Sequence, residues 1–410
     1  MNGAPAVAGK RVHVLSQSGL VALDAGNGHE VWKRDDIKGT SSPTLRGGVL
    51  YAYAGDTTLW AVNAGDGSDR WTVKADDQRF ATGFSSPVVA GDAVIVGLSS
   101  VEEVAARENA MFRGGVVAFD RRSGKELWRY RTAEPPDNGV GVWSTVSVDA
   151  GTRTVFATTG NNYTESAGPT SDSVIALDLG TGQLRWIRQV TAGDLFTVPT
   201  ARSQDSDFGT NPILFEADVN GTRRKLLGAG QKSGLFSVLD RDSGDIVWQR
   251  QVSDGSALIG GVFNNGAYDG RNIILAGNNG PPGPGADPLG RPRTHTVGTA
   301  LLMALDPATC DVRWQTDLPA WVWAPVTLTD PGGVRRRRSG APGLRHTKRQ
   351  AALQLRDRGN HLERTGRRRP ARVFRQPPVV LPPDQVRSHP LRAPGVTRRL
   401  ARLRAVLTRC

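Results

Sequence analysis

The chain has 410 residues and a formal charge of +13, but residues 334–410 carry 22 Lys and Arg against 3 Asp and Glu, which leaves residues 1–333 mildly acidic at −6. A hydrophobic content of 38% suits a globular body and excludes collagen-like and wholly disordered chains. No window approaches 18 apolar residues, and the start MNGAPAVAGKRVHVL lacks an apolar h-region, so neither a membrane span nor an export signal is expected in the chain as it stands. Cys310 and Cys410 form no CxxC or CxxCH motif, and the six histidines show no pair at ligand spacing, so zinc and haem sites are not expected.

In chain order, six copies of one 11-residue pattern follow one another. They are ALDAGNGHEVW (Ala22 to Trp32), AVNAGDGSDRW (Ala61 to Trp71), AFDRRSGKELW (Ala118 to Trp128), ALDLGTGQLRW (Ala176 to Trp186), VLDRDSGDIVW (Val238 to Trp248) and ALDPATCDVRW (Ala304 to Trp314). Each predicts a strand, a tight turn and a strand: the Asp or Asn caps the backbone ahead of it, Gly supplies a positive φ, and the Trp opens the next strand. Upstream of most copies lies a second strand pair, as in SSPTLRGGVLYAYAG (Ser41 to Gly55) and SSPVVAGDAVIVGLSS (Ser85 to Ser100), which makes the unit a four-stranded antiparallel sheet. Third positions are spaced by 39, 57, 58, 62 and 66 residues. A minimum near one propeller blade, with longer intervals for loops, predicts an all-β chain folded as a β-propeller; a sandwich or solenoid is the competing architecture. A Trp recurring once per unit is expected as a wedge between blades.

The predicted domain organisation is a repeat-built propeller over 1–333 and an Arg/Pro-rich, low-order tail over 334–410. Two readings of that tail stand: a basic arm binding nucleic acid or anionic lipid, or an out-of-frame stretch. Read one nucleotide later with permitted codons, Gly343 to Gln350 becomes AFDTPSGK, whose aspartate would fall 39 residues after Asp306, the spacing of the first two copies. The out-of-frame reading is preferred, with no nucleic-acid partner. The start in mid-blade at Ala4-Pro5-Ala6-Val7 is likewise read as a truncation.

The repeat resembles the docking motif of the pyrroloquinoline quinone (PQQ) dehydrogenases, a quinoprotein family with eight-bladed propellers. SSVEE (Ser99 to Glu103), VWSTVSVDAGTRTVFATTGNNY (Val142 to Tyr163), SDFGTNPIL (Ser206 to Leu214) and AGQKSGLFSVLD (Ala229 to Asp240) look most like polyvinyl-alcohol-dehydrogenase-like members. The resemblance implies PQQ and calcium as cofactors, oxidation of an alcohol by hydride transfer to the quinone, a separate electron acceptor such as a cytochrome, and a periplasmic or extracellular location. It further implies that Glu102, Asn161 and Asp207 hold the metal, that Asp207 is the catalytic base, and that Lys232, Trp143 and Ser99 contact the cofactor. Calcium takes oxygen ligands, which these side chains supply; a cation at Lys232 would stabilise charge on the reduced quinone, and a flat indole would stack on its ring. Each residue also has a plain reading: Glu102 lies in a charged stretch where Glu103 is an equal candidate, Asp205 and Asp207 suit a turn, Asn161 follows Gly160 as turn residues do, Trp143 would serve as another wedge, and Lys232 would be solvated. The vicinal Cys-Cys pair and the CxxCH module of some relatives are absent from this sequence. Since related non-catalytic propellers share the repeat, a protein-interaction scaffold is the alternative function.

Overall fold

The computed structural model describes residues 3–105, 111–163, 168–197, 204–255, 260–280 and 298–328. The tail from 334 onward, and every expectation attached to it, lies outside those residues. Within them the chain forms six antiparallel sheets, spanning 6–34, 44–74, 88–131, 147–189, 213–251 and 267–318, each ordered in space as in sequence. These are propeller blades of four strands. The third carries an additional two-residue strand, Ala81–Thr82, paired with Ser99 and Ser100. The first strands of successive blades lie beside one another from blade 1 to blade 6. The helix described is a single turn, Glu102–Ala105, and among the described residues no helix is long and apolar enough to cross a membrane.

Each repeat forms the turn between the third and fourth strands. Asp24 Oδ1 accepts the N–H groups of Gly26 and Asn27 at 2.9 and 3.1 Å, and Asp120, Asp178, Asp240 and Asp306 each accept the N–H groups two and three residues on. The repeat glycines, from Gly28 to Gly244, take φ between 70° and 75°, as this turn demands. Cys310 stands in the glycine slot of the sixth copy at φ 60° and is fully buried. The tryptophan does not open its strand as the pattern predicts. It sits at the third strand position, opposite the first repeat residue and beside a register shift (Ala22/Leu23 in blade 1), because the five-residue loop places a bulge there.

The wedge role is seen directly. Trp32, Trp71, Trp128, Trp186 and Trp248 each donate Nε1–H to a carbonyl in the following blade, those of Ala64, Arg121, Leu179, Arg241 and Pro307, at 2.9–3.1 Å. That carbonyl always belongs to the residue after the repeat Asp or Asn. The ring then covers the glycine of the same copy: a Cβ on Gly67, Gly124, Gly182 or Gly244 would lie 2.5–2.8 Å from the indole of Trp32, Trp71, Trp128 or Trp186. Gly182→Ala is therefore expected to lose roughly 1–3 kcal/mol through overpacking against Trp128, with further strain from its positive φ, measured as a lowered urea midpoint.

A second belt joins the first strands. The N–H groups of Ala4, Ser42, Ser86, Thr145 and Asn211 donate to Ser42 Oγ, Ser86 Oγ, Thr145 Oγ1, Asn211 Oδ1 and Asn265 Oδ1, each at 2.8–2.9 Å. The Ser-Ser-Pro, Ser-Thr, Thr-Asn-Pro and Asn-Asn motifs ahead of these strands thus tie neighbouring blades through side chains. On the outer rim, Arg185 pairs with Asp178 at 2.6 Å and, through that hydrogen bond, lowers the carboxyl to about 2. The pair's contribution is present above about pH 4 and is lost as pH falls through 2. Since both side chains are partly exposed, Arg185→Gln is expected to cost only about 0.2–1 kcal/mol at pH 7, and the difference should vanish in acid melts below pH 2.

Candidate functional site

The site lies on the segments that lead into the first strands of blades 4 and 5 and on the segments that follow the second strands of blades 3, 4 and 5. Lys232 follows the second strand of blade 5, and its N–H donates to the Asp207 carbonyl at 2.9 Å, which fixes the two residues side by side. Its ammonium reaches Asp207 Oδ2 at 2.6 Å and Asp205 Oδ2 at 3.0 Å, and lies 5.3 Å from the centre of the Trp143 ring. Burial alone would lower the lysine pKa; the Asp205 and Asp207 carboxylates outweigh it and hold the ammonium above its ordinary value. The group is a permanent cation facing an aromatic surface.

The other oxygen of Asp207 accepts the Asn161 N–H at 2.6 Å. Gly160 makes that approach possible, since a Cβ there would lie 2.6 Å from Asp207 Oδ1. The Asn161 amide in turn donates to the Phe196 and Asn162 carbonyls at 2.8 Å and to Glu103 Oε1 at 3.3 Å. Asp207, Asn161, Lys232 and Trp143 are thereby brought together, and Asp205 and Glu103 join them.

Glu102 and Ser99 are directed elsewhere. The Glu102 carboxylate is buried and accepts the N–H groups of Met111 and Phe112 at 2.9 and 2.6 Å. Ser99 Oγ donates to the Thr82 carbonyl at 2.8 Å, though its Cα and Cβ pack by Gly141, two residues before Trp143. Trp143 is half-buried and is not one of the five inter-blade donors. Its Cη2 would lie 3.2 Å from a Cβ on Gly209, a residue whose missing side chain also makes room for Phe263. Asp205 shows no motif of its own in the sequence; the Asp-Ser-Asp spacing, which puts two carboxylates on one side of an extended segment, is the signal that would have found it.

The profile of the PQQ family described as "Glucose/ethanol/alcohol dehydrogenase, beta-propeller domain" matches residues 74–256, which span the whole of this site. A polyvinylalcohol dehydrogenase of a Pseudomonas species is 33% identical over 312 residues, covering 67% of this chain and 48% of that one. The chain belongs to the PQQ-dependent dehydrogenase β-propeller family. A second polyvinylalcohol dehydrogenase, from Sphingopyxis sp. (strain 113P3), is 31% identical and covers 66% of this chain and 47% of that one. The chain thus spans about half the length of the curated relatives it matches. Among solved structures, the quinohemoprotein alcohol dehydrogenase from Comamonas testosteroni superposes with a TM-score of 0.64 at 19% identity, covering 79% of this chain and 62% of that one. BamB from Moraxella catarrhalis superposes at 0.53 and 14% identity, covering 80% of each chain. These two likenesses describe the shared fold.

The side chains present fit the cofactor the family implies in kind. A buried ammonium beside an indole face suits a planar, anionic quinone. For a metal, the Glu103 and Asp207 carboxylates and the Asn161 carboxamide oxygen are donors of the type hard cations take, although the Asn161 nitrogen is the atom turned to Glu103. Among the described residues no cluster of three or more His, Cys, Asp or Glu is arranged to hold a metal, so the remaining ligands of a calcium ion would come from the cofactor or water.

Proposed function

We propose that this chain forms the cofactor-facing part of a PQQ- and calcium-dependent alcohol dehydrogenase, with a separate electron acceptor such as a cytochrome and a periplasmic or extracellular location like that expected for its family. The observation that carries this reading is the Lys232 ammonium, held between Asp205 and Asp207 and turned to the Trp143 ring. When bound, the quinone would supply a two-electron acceptor for the alcohol and calcium would supply Lewis-acid polarisation. Asp207 is the general base: its carboxylate, oriented by the Asn161 N–H, receives the hydroxyl proton of the alcohol. Lys232 would hold the quinone through its positive charge, and Trp143 would offer a flat indole for stacking. Glu103, whose Oε1 meets the Asn161 amide, supplies the metal carboxylate there, while Oε2 of Glu102 serves two backbone donors away from Asn161.

The test is a titration of the purified chain with PQQ, with and without calcium, read by quinone absorbance. Saturable, calcium-enhanced binding is expected; a spectrum unaffected by the protein overturns the reading. In the same titration Glu103→Gln is expected to remove most of the calcium enhancement. Glu102→Gln is expected to leave that enhancement in place and to lower the melting temperature by loosening residues 111–112.

A further inference from the structure

Asp172 immediately precedes the third strand of blade 4, Ser173–Asp178, and is fully buried at φ 49°. Among the described residues neither of its carboxyl oxygens meets a donor in bonding geometry, since the neighbouring Ser171 hydroxyl donates to the Gly168 carbonyl. Its N–H donates to the Gly160 carbonyl at 3.2 Å, and the α-carbon of Gly160 packs on the carboxylate of Asp207. Asp172 therefore stands one glycine behind the proposed base. The negative charges of Asp194, Asp207 and Asp205 act on it electrostatically.

Those three are provided for. Asp194 accepts the N–H groups of Phe196 and Ser206 at 2.7 and 2.9 Å. Asp205 accepts the Asp207 N–H at 3.2 Å and shares Lys232 with Asp207. Two of these four carboxyl groups thus share the one ammonium described there, and Asp172, fully buried, is the one that meets no donor among the described residues. Desolvation and like-charge repulsion both oppose ionising such a group.

We propose that Asp172 is a positioning residue acting as an uncharged carboxylic acid, which keeps a fourth negative charge out of the cluster so that Lys232 remains shared by Asp205 and Asp207 alone. This rests on Asp207 being the base, and it assigns Asp172 to the charge balance of the site rather than to contact with substrate. Burial first, then the neighbouring carboxylates, raise Asp172 well above the ordinary carboxylate range. The folded protein then retains a proton that the unfolded chain gives up above about pH 4. The stability tied to this group is complete below that pH and declines as pH rises. Asn is the matched replacement, being neutral, equal in shape and tolerant of the left-handed backbone.

The experiment uses the cofactor-free chain. Melting temperatures of the wild type and Asp172→Asn are compared from pH 4 to 8, and infrared spectra are recorded at pH 7 in the region of the protonated-carboxyl C=O stretch. The two proteins are expected to melt together near pH 4, with the variant's advantage growing as pH rises; the wild-type band of a protonated carboxyl disappears on substitution. A melting difference independent of pH overturns the proposal. So does a wild-type spectrum with no protonated carboxyl, a reading that holds even if the variant does not fold. A wild-type melting temperature raised by added calcium or sodium at pH 7, with the effect lost in the variant, assigns the balancing charge to an ion and likewise overturns it. Should PQQ fail to bind, the proposed activity falls, while these measurements still decide the state of Asp172.

Discussion

Lys232→Met is expected to abolish PQQ binding and to destabilise the fold by about 3–5 kcal/mol, the usual cost of removing one partner of a buried ionic group. The methionine fills most of the space, but the Asp205 and Asp207 side chains, 1% and 9% exposed, lose their shared cation. Quinone absorbance measures the first effect and urea unfolding monitored by tryptophan fluorescence the second. Lys232→Arg separates them: it restores the charge and most of the stability, while its broader head group disturbs the position above Trp143. In a preparation active with an artificial electron acceptor, Asp207→Asn is expected to lower kcat by about 10²–10⁴-fold, the range for loss of a general base, with PQQ still bound. Activity unchanged in Asp207→Asn would assign the proton transfer to another group.

Trp248→Ala is expected to cost about 3–5 kcal/mol. Trp248 is 3% exposed, packs in the cluster that joins blades 5 and 6, and donates to the Pro307 carbonyl at 3.0 Å, so its loss leaves both a cavity and an unmatched carbonyl. The conservative Trp248→Phe keeps much of the volume but not the donor, and is expected to lose about 1–3 kcal/mol less than the alanine variant. The sum is measured by urea unfolding. A shift of the midpoint without a change of slope would show that blades 5 and 6 unfold with the rest; a second transition would show that the last blade separates first.

The blade architecture was legible in the sequence because its determinants are local. The Asp cap, the glycine at positive φ and the tryptophan lie within eleven residues, and every copy repeats them, so one pattern announces turn, bulge and wedge together. What the pattern did not show was direction. The carbonyl that each tryptophan meets, and the serine, threonine and asparagine belt along the first strands, connect residues 32–66 positions apart, and no single repeat contains both halves. Gly67, Gly124, Gly182 and Gly244 therefore serve twice, for their own turn and for the ring of the preceding blade.

The candidate site divides in the same way. Lys232, Asp207, Asn161 and Trp143 were named by resemblance, each inside a motif that the family shares. Glu102 and Glu103 are adjacent, chemically alike and equally charged, so the sequence left both open. In the fold they meet different partners: the N–H groups of Met111 and Phe112 donate to Glu102, while the Asn161 amide donates to Glu103. Asp172 and Asp194 had no signal, since an aspartate beside a serine or a glycine reads as a turn. The sequence by itself determined the repeat, the strand and turn chemistry and the family, all set by short-range backbone preferences. Only the fold decided which carboxylates share the lysine and which one meets no donor among the described residues, because burial and charge pairing depend on segments that the chain brings together from distant blades.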